Sequence, residues 1–287
     1  MDSITKNVYI DSQYPGVTLG VIVQPRGLIQ VDAPPSPEDG RSWRAALMNL
    51  GGGPERLLVN LDAHPDRTLG VRAMDCTVVA HEKTAQVFRN RPSAFKAQVD
   101  ESGSEWETIS GLGGLRWTPP EISFTDRLIL HWDSSPILLE YHPGPSAGAI
   151  WVLLPEEKVV FVGDAVLKNQ PPFLANADLP AWQETLALLQ SKEYREYTII
   201  SGRSGVVTAT VIKNQADFLK DTLKKLERLS KKKHKGDPTE NLAGSLLSHF
   251  KAPASLQKKY AQRLRYGLQY YFSRHYNAGT PPSPGED

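Results

Sequence analysis

A chain of 287 residues, 40% of them hydrophobic, can bury a substantial core as one large domain or as a domain with an appendage. Its opening residues lack a basic start followed by an apolar run, and no later stretch has the length of a membrane span, so a soluble, cytoplasmic protein without membrane partners is expected. The single cysteine, Cys76, excludes an internal disulfide, and the formal net charge of +1 conceals an asymmetry: residues 220–276 hold 14 Lys or Arg against 4 Asp or Glu, leaving the remainder acidic.

In chain order, short β-branched and aromatic runs predict strands at NVYI, VTLGVIV, GLIQVDA, RLLVNL, CTVVAH, RLILHW, PILLEYH, AIWVLLP, KVVFVGD and YTIISG. Helical patterns alternate with them over Ser36–Asn49, Glu82–Phe88, Ala181–Leu189 and Val211–Leu229. Strands interleaved with helices predict layered α/β packing. The charged run KKKHKGDP closes this region, and two more helices follow, about Thr239–Phe250 and Ala254–Tyr276. The expected organisation is an α/β body over 1–230, a basic helical extension over 231–276 and a disordered tail over 277–287. The clustered glycines of SGSEWETISGLGGLRW lack the Lys-Ser/Thr of a phosphate loop and predict a flexible connection.

Four motifs carry chemistry. They are GLIQVDAP, LDAHPDRTLG, YHPGPSAGAIWVLLPEEKVVFVGDAV and IISGRSG. Together with the element order over about residues 7–220, they resemble the metallo-β-lactamase fold superfamily, which implies a four-layer αββα sandwich, here with an additional helical C-terminal segment. The third motif is the most specific, with Gly148, Leu154-Pro155, Glu156, Lys158 and Gly163-Asp164 at the family's spacing.

The resemblance also shows what has been replaced. The family's His-x-His-x-Asp-His loop falls on Asp62, His64, Asp66 and Arg67; its next histidine falls on Pro145; its bridging aspartate is Asp164; the histidine of its closing turn has become Arg203. A guanidinium has no lone pair for a metal, so a second metal is not expected. Asp62, His64 and Asp164 would suffice for one divalent ion, Zn, Mn or Fe, with His142 reaching inward only if its loop is rearranged. In that version Asp66 orients water and Arg203 steadies an oxyanion, for hydrolysis of a small ester or thioester. The alternative is a metal-free descendant in which Arg67 and Arg203 neutralise Asp66 and Asp164 and the cleft binds an anionic ligand.

Local readings compete with these roles. Asp66 suits the N-cap of a helix begun by Arg67, His81 a cap or solvent-facing position, and His131 an outward strand position. In the last helix, Leu256, Tyr260, Leu264, Leu268 and Tyr271 form an i, i+4 stripe for packing on the body, and Lys258, Lys259, Arg263 and Arg265 form a candidate anion-binding set. Nucleic-acid binding through that helix is the weaker reading, and oligomeric state is not legible.

Overall fold

The computed structural model describes residues 1–97, 102–133, 135–232 and 236–276; His234 and the tail at 277–287 lie outside the described residues. Among the described residues, thirteen strands form two sheets. The first runs β1 (Asp2–Ser3), β2 (Val8–Asp11), β3 (Leu19–Gln24), β4 (Gly27–Val31), β5 (Glu55–Val59), β6 (Thr77–His81) and β7 (Ile122–Phe124), in that spatial order. The second is ordered β13 (Gly205–Val207), β12 (Thr198–Ser201), β11 (Val159–Phe161), β10 (Ile150–Leu154), β9 (Ile137–Tyr141) and β8 (Arg127–Leu130).

The central strands are apolar on both faces because both faces are covered. Along β10, Ile150, Val152 and Leu154 point into the inter-sheet core with Ile29, Val31 and Phe161, while Trp151 and Leu153 point into the outer helical layer. Helix α1 (Pro37–Leu47), capped by Ser36, covers the first sheet through Trp43 and Leu47. On the second sheet lie α4 (Leu179–Leu189), α5 (Ala209–Ser230), α6 (Glu240–Leu247) and α7 (Ala254–Tyr276). The arrangement is the expected αββα sandwich.

The C-terminal helices share the body's core. Leu242, Leu246, Leu264, Leu268, Tyr271 and Phe272 join Trp151, Trp182 and Leu219 in one apolar cluster. The predicted stripe of α7 is therefore a packing face, with Tyr260, Leu264, Leu268 and Tyr271 buried.

Parallel pairing sets the position of the site. Strands β4, β5 and β6 run parallel, as do β11 and β12. Their C-terminal ends collect Asp32, residues 61–64, Gly163–Ala165 and Ser201–Arg203 along one edge of the sandwich, where ligand sites of parallel sheets usually lie.

Candidate functional site: an arginine–carboxylate cluster beneath a cavity

After β5 the chain turns at Asp62, whose Oδ1 accepts the His64 N–H at 2.9 Å, and enters the short helix α2 (Pro65–Thr68). The N-cap is His64 rather than Asp66: its Nδ1 accepts the Asp66 N–H at 3.2 Å. Asp66 is released from capping because its oxygens are used elsewhere. Oδ1 accepts the Trp106 N–H at 2.7 Å and Oδ2 meets Arg203 Nη1 at 2.6 Å.

Arg67 is wholly buried and reaches three carboxylates. Nη1 donates to Asp32 Oδ2 at 3.1 Å, Nη2 donates to Asp164 Oδ1, and Nε lies 3.2 Å from Asp62 Oδ1 without hydrogen-bond alignment. Among the described residues Arg67 forms no ion pair with Asp66, unlike the expected pairing. Space for the guanidinium comes partly from Gly202, where an added Cβ would stand 2.7 Å from Arg67 Nη1. Asp32 occupies the left-handed region, φ 62°, which a short polar side chain tolerates better than most.

Arg203 completes the cluster. Nε donates to both Asp164 oxygens at 2.9 and 3.0 Å, and Nη1 donates to Asp66 and to Glu105 Oε2 at 3.0 Å. Glu105 then accepts from Arg263 of α7 at 2.7 Å. Phe173 lies against both cations, 4.4 Å from the Arg203 guanidinium carbon and 4.0 Å from that of Arg263.

The segment bearing Glu105 is packed, in contrast to the flexible connection that its glycines predict. Trp106, Leu112 and Trp117 are buried with Phe88 and Phe95. Gly103, at φ +74°, admits α7 so closely that a Cβ there would lie 2.8 Å from the Arg263 Cβ.

The protonation pattern follows from charge and burial. Asp32, Asp62, Asp66, Glu105 and Asp164 outnumber Arg67, Arg203 and Arg263 by two charges. Burial raises Asp32 to about 7 and Asp66 to about 6, and it raises Asp62, against the pull of the neighbouring arginines. Burial opposes ionisation of Asp164 and Glu105 too, but the arginines beside them prevail and hold both below the usual carboxylate range. Burial, with Arg203 and Arg67 adding to it, holds His64 well below its ordinary value. The neutral ring accepts at Nδ1, so its proton sits on Nε2.

Superfamily members typically bind divalent metal ions, but the donor set here does not fit one. Both Asp164 oxygens and one Asp62 oxygen are held by guanidinium groups, and His64 spends Nδ1 on backbone. A permanent cation lies among the acids that would be ligands. Among the described residues, no group of three or more His, Cys, Asp or Glu is arranged to hold a metal ion.

A cavity of about 590 Å³ opens over this cluster, and Asp62, His64 and Asp164 line it with Phe173. Arg67 and Arg203 lie below its surface, so neither forms a cleft wall; Pro145 does line it. His142 lies outside, stacked on Trp151 at 3.8 Å and 3.5 Å from Glu140. His81 is buried as the N-cap of α3 (Glu82–Asn90), and His131 is exposed.

The predicted anion-binding set divides. Lys258 and Arg265 are exposed, and Lys259 is half-buried. Arg263 is 1% exposed, its donors committed to Gly103 O, Glu105, Gln170 and Pro171 O. Sequence reasoning missed Asp32, Glu105, Phe173 and Arg274, the last of which joins the cavity from the final turns of α7. The aspartate closing GLIQVDAP was a signal for the first; nothing local marks the others.

Residues 64–203 match the family model described as the metallo-beta-lactamase superfamily. A search of curated proteins returned no match. A metallo-beta-lactamase from Pontibacter korlensis superposes with a TM-score of 0.60 at 17% identity, covering 77% of this chain and 98% of that one. A metallo-beta-lactamase family protein from Thermus thermophilus gives 0.66 at 20%, covering 97% and 98%. The stereoselective inverting sec-alkylsulfatase Pisa1 from Pseudomonas sp. gives 0.68 at 16% over 97% of this chain, which spans 51% of that structure.

Proposed function

From a chain that belongs to the metallo-β-lactamase fold superfamily, and whose ligand positions are held by guanidinium groups, we infer a metal-independent protein that binds a small anionic molecule in the cavity above the cluster. One observation carries this reading: Arg67 is buried among Asp32, Asp62 and Asp164. Two of those acids would have to serve a metal, and displacing a buried guanidinium from three carboxylates would leave its charge uncompensated. The cluster holds together the sheet ends that frame the cavity.

A second reading keeps catalysis, as hydrolysis of a small ester or thioester. It is favoured by His64 and Asp62 lining the same cavity. Arg203 is too deeply engaged to meet an oxyanion there.

Elemental mass spectrometry on untagged protein purified without chelator separates the two. We expect far less than one equivalent of metal. One equivalent in the wild type that is lost in both Asp62→Ala and His64→Ala would overturn the metal-free reading and turn attention to ester and thioester substrates.

A further inference from the structure

The cavity has chemically distinct ends. Its floor is the cluster, where Asp164 is saturated by arginine and His64 presents a neutral ring. Its walls include Phe173, Leu174, Val87 and Tyr266, an apolar and aromatic surface suited to a hydrophobic body. Its cationic lining comes from Arg91, Arg263 and Arg274.

Arg91 donates Nη1 to Ala63 O at 2.9 Å and lies 4.5 Å from the centre of the Trp117 ring. Arg263 faces Glu105, and its charge is met inside the protein. Arg274 is anchored to main chain, with Nη1 donating to Ala175 O at 2.7 Å and Nη2 to Ala177 O at 3.1 Å. Among the described residues no carboxylate lies within ion-pair distance of it. Carbonyl dipoles orient this guanidinium without cancelling its charge, and the residue is exposed, so the charge is open to a bound anion.

We propose that the cavity selects an amphipathic anion, its aromatic or acyl body against Phe173, Tyr266 and Val87 and its carboxylate, sulfonate or phosphate at Arg274. This rests on the metal-free reading. It makes α7 part of the binding site, with Arg274 as the residue that sets ligand charge.

Two fluorescent probes sharing one aromatic body test it on the full chain: 1-anilinonaphthalene-8-sulfonate, and N-phenyl-1-naphthylamine, which lacks the sulfonate. We expect one site per chain, with the sulfonate bound about fivefold to tenfold more tightly than the uncharged probe. Arg274→Gln should abolish that preference, Arg274→Lys should keep part of it, and Arg265→Gln, exposed on the same helix but outside the cavity, should leave it intact. Val87→Trp, which fills the cavity, should weaken both probes, with melting temperature confirming that each variant folds. Equal binding of the two probes, a preference that survives Arg274→Gln, or binding unaffected by Val87→Trp would overturn the proposal. If the same preparation carries stoichiometric metal, the underlying reading fails instead; metal-free protein that binds both probes equally refutes only the ligand class.

Discussion

Arg263 Nη2 donates to Glu105 Oε1 at 2.7 Å across 158 residues of chain, tying the last helix to the segment that covers the arginine cluster. Because Glu105 also meets Arg203, this one carboxylate separates two buried guanidinium groups. Glu105→Gln keeps acceptor capacity but removes the charge. It should lower unfolding free energy by about 2–4 kcal/mol, since a buried ion pair that loses one partner leaves the other uncompensated. Urea denaturation measures the loss, and amide hydrogen exchange should show weaker protection in α7. Unchanged protection there would mean that apolar packing alone seats the helix.

Arg67 should be less tolerant still. Arg67→Ala leaves Asp32 and Asp62 without their guanidinium and Asp164 with Arg203 alone. A cost of about 3–5 kcal/mol is expected, and Arg67→Lys should recover only part of it, because one ammonium cannot reproduce a planar fork directed at separate carboxylates. Full recovery by lysine would show that charge without geometry suffices.

The fold was largely legible because its core strands are buried on both faces and read as continuous apolar runs: AIWVLLP and KVVFVGD correspond directly to β10 and β11. Two of the unforeseen strands, β7 and β13, are three residues each and exist through pairing with β6 and β12 rather than through local pattern. The site was half legible. Arg67, Arg203, Asp62, His64 and Asp164 stand at motif positions, whereas Glu105 sits in a glycine-rich segment whose composition suggested only slack. Its partners lie 98 and 158 residues away, and no periodicity encodes such a contact.

The two-charge surplus of acid in the cluster predicts an unusual pH response. Asp32 and Asp66 have folded pKa values raised to about 7 and about 6, above their unfolded values. They hold protons in the folded state that the unfolded chain has released, so their contribution is present at low pH and is lost as pH rises from about 4 to about 7. Asp164 and Glu105, held low by arginine, act oppositely and lose their contribution as pH falls below the ordinary carboxylate range. Stability should therefore peak in mild acid and fall by several kcal/mol toward pH 7.5. Urea melts from pH 4 to 8 would show the decline, and Asp32→Asn, imitating the protonated acid, should flatten it. A rise in wild-type stability across that range would contradict the assignment.

Chelator should leave the protein unmoved. A metal bound to the folded state alone raises the melting temperature by mass action, and its removal lowers it. With guanidinium groups on Asp62 and Asp164, dialysis against EDTA should shift the midpoint by less than about 1 °C. A drop reversed by Zn(II) or Mn(II) would reveal a metal that the donor set does not predict.

Removing residues 231–287 tests whether the basic helices are an appendage or part of the fold. Leu242, Leu246, Leu264, Leu268, Tyr271 and Phe272 are buried in the cluster that contains Trp182 and Leu219. At about 1.5–3 kcal/mol for each buried large apolar side chain, their loss approaches the whole net stability of a typical domain, about 5–15 kcal/mol. The shortened chain would also expose the body residues they cover and leave Glu105 without Arg263. Residues 1–230 should thus accumulate as insoluble protein, or as a species with near-native far-UV and lost near-UV circular dichroism. A soluble fragment with a cooperative melt would show instead that the sandwich closes its own core, and would transfer the role of α7 from stability to ligand selection alone.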